Sequence, residues 1–338
     1  MKKPWESFSS VDKFFDPLLK QHVNRWMLLL PAMNLCDWYL RSGGCSMCGF
    51  NCPGSSKQSY AWIAKYFGPR ALHLVYWLGY FGIKGQKPQN LTVYNGGSFL
   101  NSGQETPGSK PEIPLSLQNA VCRHVGRHPT IQKLFVESRP EFVTPDRVAL
   151  MSDLLAGKTL EVGIGLESSS DIVRNKVLRK GIGLSTFLGA IDVLKRHAAK
   201  SLAYVFLKPT GLSESEAVKD AINTIRFCFG LGIDEVSLSC AFVQNGTDMC
   251  RQYQAGQYKP PWLWSIVEVI KQTAHLGPVR IGTFEDDPPP IDVPHNCKDC
   301  TEKMNQAIGK YRSNFDISLF GQLFCPCRET WLKEISAP

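Results

Sequence analysis

No apolar run in this 338-residue sequence is long enough to cross a bilayer. The longest outside the N-terminal region, Ala71 to Ile83, contains His73 and two glycines and stops well short. The N-terminus begins with Met1, Lys2 and Lys3, and its first long apolar stretch is broken by Pro31 and Asn34. No secretory signal is expected from such a start, and the cytoplasm is the expected compartment. Internal repeats and low-complexity tracts are also missing, and the 43% hydrophobic composition leaves no expectation of extensive disorder. Charge is limited, with 20% charged residues and a net charge of +8. That excess favours a polyanionic partner without reaching the basicity of a dedicated nucleic-acid tail. Glycine (28), proline (22) and cysteine (12) are plentiful. In a reducing compartment, twelve cysteines are expected as metal ligands or buried thiols rather than disulfides.

Short apolar or β-branched runs alternate with helical patterns along most of the chain. Strands are predicted at Met27 to Leu35, Leu91 to Asn95, Thr130 to Glu137, Thr159 to Leu166, Ser201 to Lys208, Asp234 to Phe242 and Val279 to Phe284. Between them, Thr144 to Ala156 shows the helical pattern: Val148, Met151 and Leu155 recur at three and four residues. Thr144 can cap its start, Pro145 suits the first turn and Gly157 can end it. The alternation predicts an α/β protein with βαβ units, arranged as a partial or full β/α (TIM-like) barrel over residues 27–285. A doubly wound sheet is the alternative. Residues 1–26 are expected as a short helical extension. The proline-rich run from Asp286 to Pro294 reads as a linker, opening a small Cys-rich metal-binding domain over 286–338.

In a β/α barrel, chemistry gathers at the C-terminal strand ends. Cys36 follows the first predicted strand, Gly96, Gly97 and Ser98 the second, Glu137, Ser138 and Arg139 the third, Glu167 the fourth, and Lys208 the fifth. Cys45 and Cys48 flank two residues and lie just beyond Cys36. Three thiolates could leave one iron of an iron–sulfur cluster open to a small molecule. A structural zinc knuckle is the plainer alternative, although three ligands leave such a site unfilled. Cys52 offers a competing triad with Cys45 and Cys48.

In this arrangement the sequence resembles the radical SAM superfamily, and within it the archaeosine synthase β-subunit group, relatives of the Elongator catalytic-subunit radical enzymes. The matching text includes Cys36, Asp37 and Trp38 with the block Gly44 to Gly49, then Asn95 to Leu100, Val136 to Phe142, Gly163 to Ser168, Tyr204 to Pro209, Pro261 to Trp264 and Pro294 to Cys300. The resemblance implies a 4Fe-4S cluster on Cys36, Cys45 and Cys48, with S-adenosylmethionine chelating the open iron and an electron donor supplying the reductant. It further implies that Gly96, Gly97 and Ser98 contact the methionyl end of that cofactor, where the superfamily pattern is commonly Gly-Gly-Glu and this chain departs at Ser98. Glu137, Ser138 and Arg139 are implied in cofactor binding, while Glu167 and Lys208 are open to cofactor or substrate.

The C-terminal cysteines Cys297, Cys300, Cys325 and Cys327 match a closed tetrahedral zinc site, with an auxiliary iron–sulfur cluster or free thiols as the alternatives and His295 able to replace one cysteine. Cys122, Cys228, Cys240 and Cys250 read as buried thiols. Arg123 to His128 with Lys133, and Arg174 to Lys180, are basic clusters; the first suits phosphates, and the alternative for both is a solvated helix face. Trp262 and Trp264 are open to base stacking or to packing, and Tyr76 to Phe81 to roofing the site, partner docking or core packing. The group's chemistry implies carbon–nitrogen cleavage in a lysine adduct of 7-deazaguanine in tRNA, beside a lysine-transferring partner enzyme. Two other functions fit the sequence: radical modification of a free small molecule or peptide, and a non-catalytic metal-containing RNA-binding module.

Overall fold

The computed structural model describes residues 8–50 and 66–336. Its first element corrects the expected helical extension. β1 (Ser9–Asp16) and β2 (Gln21–Leu29) form an antiparallel hairpin. Its turn is built by Asp16, whose carboxylate accepts the backbone N–H groups of Leu18 and Leu19 at 3.1 and 3.2 Å. Asp16 followed by Pro17 is turn chemistry, and it overrides the helical look of the surrounding apolar residues.

β2 also begins six residues earlier than predicted, and the remaining strands fall close to expectation: β3 (Asn90–Tyr94), β4 (Lys133–Ser138), β5 (Thr159–Glu167), β6 (Lys200–Leu207), β7 (Glu235–Cys240) and β8 (Val279–Ile281). They pair in sequence order, parallel from β2 to β8. A doubly wound sheet needs a reversal of strand order. Among the described residues there is none, and the strand order is that of a barrel.

The sheet curls into a partial barrel. Arg280 on β8 donates to the backbone oxygen of Phe15 on β1 at 3.3 Å and lies over the Phe14 ring, bringing the two sheet edges together. Among the described residues the two edge strands do not pair through their backbones, so the barrel is incomplete. Its lower end is filled by charge. Lys133 bridges Asp16 and Glu161 at 2.6 and 2.7 Å, and Arg280 meets Glu235 at 2.6 Å. Outside the sheet, Leu134, Val136, Val162, Ile164 and Val205 are buried beneath the helices. The helix Pro145–Leu155 matches its prediction, except that Thr144 makes no side-chain cap and Ala156 takes the left-handed position at its end.

The Cys-rich segment has no core of its own. Met304, Ile308, Tyr311, Phe320 and Trp331 share one apolar cluster with the helix Leu263–Thr273 and the sheet. Trp264 is buried in that cluster, so its expected role is packing and not base stacking. No described helix is long and apolar enough to cross a membrane.

Candidate active site

The loop after β2 carries the cysteines. Cys36 begins the short helix Asp37–Ser42, which Gly43 and Gly44 end in left-handed conformations, φ 81° and 82°. A side chain at Gly44 would press on the Tyr39 ring at 2.9 Å, so the close turn back towards Cys45 requires glycine. Asp37 is fully buried, accepts the backbone N–H of Lys110 at 2.7 Å and pairs with Arg41 at 2.5 Å. The structure brings the three cysteines into electrostatic range of one another. Burial, with the neighbouring Cys45 and Cys36, pushes the Cys48 thiol up to about 12. Burial also raises Cys45, against the opposing pull of Lys180 and Arg139. Cys52, the competing ligand, lies outside the described residues.

The Gly96 to Ser98 turn sits beside this loop. Glu112, fully buried, joins them by accepting the N–H of Asp37 at 3.3 Å and that of Ser98 at 2.9 Å. Gly96 adopts φ 60°, a left-handed conformation that glycine takes without strain. The Ser98 hydroxyl accepts the N–H of Arg139 at 3.1 Å, so this departure from the superfamily pattern ties two strand ends together. Ser138 is buried, and its hydroxyl donates to the Arg139 carbonyl at 3.1 Å.

Arg139 is turned inward on the protein. Its guanidinium donates to Glu141 at 2.5 Å and to the carbonyls of Lys180 and Gly181 at 3.0 and 3.3 Å, with the Trp38 ring 5.0 Å away. Trp38 in turn donates to the Arg179 carbonyl at 2.8 Å. Ser46 closes the seam, its N–H bonding Leu178 O at 3.0 Å and its hydroxyl bonding Val177 O at 2.9 Å. The segment 177–181 after β5 is therefore stitched to the cysteine loop at several points.

Glu137 points into the barrel, where the Tyr204 hydroxyl donates to it at 2.5 Å; burial raises its carboxyl to about 7 despite that bond. Gly163 makes room for this pair, since a side chain there would meet Phe135 and Tyr204 at 2.8 and 3.0 Å. Glu167 and Lys208 both end their strands in the left-handed region, φ 68° and 70°. Glu167 pairs with Lys180 at 2.6 Å. Lys208 donates to Leu212 O at 2.8 Å and lies 3.6 Å from Glu214. Burial lowers the Lys208 ammonium, with Glu214 opposing.

The C-terminal cysteines form a second, tighter group. All four sulfurs lie within 4.8 Å of one another, with Cys297 3.7 Å from Cys300 and 3.5 Å from Cys325, and Cys300 3.5 Å from Cys327. A tetrahedron with metal–sulfur bonds of ~2.3 Å has edges of about 3.8 Å, so this donor set fits one ion. An auxiliary iron–sulfur cluster spreads its thiolates over several irons and fits less well. Burial works against a Cys327 thiolate, yet hydrogen bonds, first that from the Trp264 indole, bring the thiol down to about 7. His295 stays outside the group, its Nδ1 2.9 Å from Val293 O. Among the described residues these four cysteines are the only ligand group at single-ion spacing.

Several expectations are revised. Lys133 leaves the basic patch for the barrel floor. His124 packs among Trp77, Tyr80 and His128, and Arg174 is buried, its guanidinium donating to the carbonyls of Ser168, Ser169 and Ile182. Tyr76 is core, while Leu74, Leu78 and Phe81 of the same helix are exposed. Three residues were not given a role in the sequence, Tyr204, Glu112 and Glu214, and Lys180 was read only as the end of a basic cluster. For Tyr204 a signal existed, because its alternation along β6 places it on the lumen side. Glu112 sits in a proline-flanked loop without periodicity.

No protein-family model matches the sequence. Archaeosine synthase subunit beta of Methanosarcina acetivorans is 28% identical over 305 residues, 88% of this chain and 81% of that protein. The subunit of the same name from Thermococcus kodakarensis is 29% identical over 248 residues, 72% of this chain and 73% of that protein. Among solved structures, Elp3 of Methanocaldococcus infernus with an N-terminal deletion is 17% identical with a TM-score of 0.48, covering 77% of this chain and 62% of that one. Methylornithine synthase is 12% identical with a TM-score of 0.48, covering 75% and 63%. The chain thus spans less than two thirds of either solved structure.

Proposed function

We propose, from the premise that this chain is a radical SAM enzyme related to the archaeosine synthase β-subunits, that Cys36, Cys45 and Cys48 hold a 4Fe-4S cluster at which S-adenosylmethionine binds. The observation that carries the reading is the stitched mouth of the barrel. The three-cysteine loop, the Gly96–Gly97 turn, the end of β4 and the segment 177–181, whose Lys180 pairs with Glu167, are joined through Glu112, Ser98, Arg139 and Trp38. When bound, such a cluster passes one electron to the sulfonium of S-adenosylmethionine and so starts radical chemistry.

The protein's own residues do the rest. Gly96 and Gly97 let backbone approach the cofactor, and Arg139 and Trp38 hold the two walls together. Glu137, with a carboxyl near 7, presents a proton or a charge to a ligand in the lumen, and Tyr204 keeps it oriented. Glu167 and Lys208 supply the remaining charges at the rim. The four C-terminal cysteines hold zinc in this reading, as a fixed corner for the helices Thr301–Asn314 and Cys327–Ser336.

The substrate reading is a lysine adduct of 7-deazaguanine in tRNA, cleaved at a carbon–nitrogen bond, with a partner enzyme attaching the lysine and an external electron donor. Similarity to the two archaeosine synthase subunits over most of this chain supports it. The burial of Lys133, Arg174 and Lys180 favours a second reading, a free small molecule or peptide, because it removes charge from both basic clusters. Anaerobically reconstituted protein given dithionite and S-adenosylmethionine is expected to release 5′-deoxyadenosine, and Cys36→Ala to abolish it. Absence of that product from the iron-loaded protein would overturn the enzymatic reading. Retention of the cluster in Cys36→Ala together with its loss in Cys52→Ala would move the third ligand to Cys52.

A further inference from the structure

Lys180 stands out among the groups that the proposed reaction leaves unused. It is an ammonium with only 13% of its side chain exposed, on the segment stitched to the cysteine loop. Its main chain already has structural work, since its N–H bonds Arg174 O at 2.9 Å and its carbonyl accepts Arg139 at 3.0 Å. The side chain is not needed for either bond. It instead reaches back over β5 to Glu167 at 2.6 Å, into a space that exists because Gly165 has no side chain: a Cβ there would overlap the ammonium.

A buried ion pair is a poor stabiliser on balance, because desolvation offsets most of its attraction. Apolar residues of similar size would pack the same space at least as well. The residues on either side of Lys180, however, touch the cysteine loop: Arg179 O accepts the Trp38 indole N–H at 2.8 Å, Gly181 packs against the Trp38 ring, and Leu178 O accepts the N–H of Ser46, next to Cys45, at 3.0 Å. Two cations, Lys180 and Arg139, lie at this seam. Arg139 is committed to Glu141 and two carbonyls. Lys180 has a single carboxylate partner and no carbonyl bond from its side chain among the described residues.

We propose that Lys180 is a charge-setting residue of the cluster site, its ammonium favouring the one-electron-reduced form of the cluster on Cys36, Cys45 and Cys48, with Glu167 moderating that effect. This rests on the cluster reading given above. Reduction adds one negative charge to the cluster, and a fixed cation in a poorly solvated site stabilises the more negative state. The electron comes from an external one-electron donor of low potential, and no bond to Lys180 is made or broken.

The test uses the full chain, reconstituted anaerobically, without S-adenosylmethionine. Iron and sulfide content of the unsubstituted protein comes first, and a protein that takes up no cluster overturns the cluster reading and this proposal with it. Where the cluster is present, an electron paramagnetic resonance redox titration compares Lys180→Gln, Lys180→Arg and Glu167→Gln with the parent. Lys180→Gln is expected to lower the reduced-to-oxidised ratio at a fixed potential by about tenfold, a shift of ~59 mV for one electron. Lys180→Arg should stay near the parent, and Glu167→Gln should move the midpoint the opposite way. An unchanged midpoint in Lys180→Gln, or equal displacement in the Gln and Arg variants, overturns the proposal. If Lys180→Gln fails to hold the cluster, Glu167→Gln decides alone: an upward shift supports the proposal, and an unchanged or lowered midpoint overturns it.

Discussion

Glu137 and Gly181 show how single positions carry measurable consequences. Burial lifts the Glu137 carboxyl from its ordinary 4.5 to about 7. The folded protein therefore keeps that proton at pH values where the unfolded chain has released it. Stability from this group is greatest below about 4.5 and falls as pH rises through about 7, by roughly 3 kcal/mol in all. Glu137→Gln retains an acceptor for Tyr204 and removes the titration. Urea denaturation at pH 5 and pH 8 should show a smaller loss in the variant than in the parent; equal losses would contradict the assignment. Glu235, also near 7, leaves a residual slope in both proteins. Gly181 adopts φ 62°, and a Cβ there would overlap the Trp38 ring. Gly181→Ala should lower the unfolding free energy by ~1–3 kcal/mol. It should also reduce iron retained after desalting, because Trp38 leads directly from Cys36. Full iron retention would show that Trp38 can move without disturbing the loop.

At the level of elements, the clearest signals in the sequence were periodic ones. β3 to β8 announced themselves through apolar runs bounded by turn residues, and the helix Pro145–Leu155 through its spacing and flanking Pro145 and Gly157. The hairpin did not, because Phe14, Phe15, Leu18 and Leu19 mimic a helical face, and the decisive signal was the Asp16 turn. Positions of strand-end groups were legible as well, since β/α order fixes where they gather. Their contacts were not: Arg139 reads as a ligand-binding cation in the sequence and is engaged by Glu141, Lys180 and Gly181 in the fold. Long-range pairings such as Ser46 with Val177 leave no local trace. The C-terminal cysteines were legible as ligands by type, although the geometry was needed to favour a single ion. Chelation is expected to lower the melting temperature by several degrees, since the helices joined by that ion share the core with Leu263–Thr273. Cys327→Ser should release the metal and Cys240→Ser should not; elemental analysis after dialysis separates them.

For the whole molecule, the net charge of +8 is the property a large polyanion would read. Binding to tRNA, if that is the substrate, should weaken steeply with salt, its logarithm falling by about 0.9 per phosphate neutralised for each log unit of salt on duplex regions. Fluorescence anisotropy across a salt series checks this, and a flat response would favour the small-molecule reading. The buried Lys133 and Arg174 contribute nothing to that slope, and the exposed Arg123 and Arg127 are the expected contributors. Substituting both with alanine should lower the slope while leaving formation of 5′-deoxyadenosine intact.

The seam between the cysteine loop and the segment 177–181 also orders events during synthesis. A growing chain presents Cys36, Cys45 and Cys48 long before Val177, Leu178 and Arg179 leave the ribosome, and those are the residues whose carbonyls hold Ser46 and Trp38. Until β5 and its following turn are made, the thiols have only one wall of their pocket. Iron loaded earlier than that would meet a flexible, water-exposed loop. For a cluster held as proposed above, the seam would place its insertion after the segment 177–181 has been made.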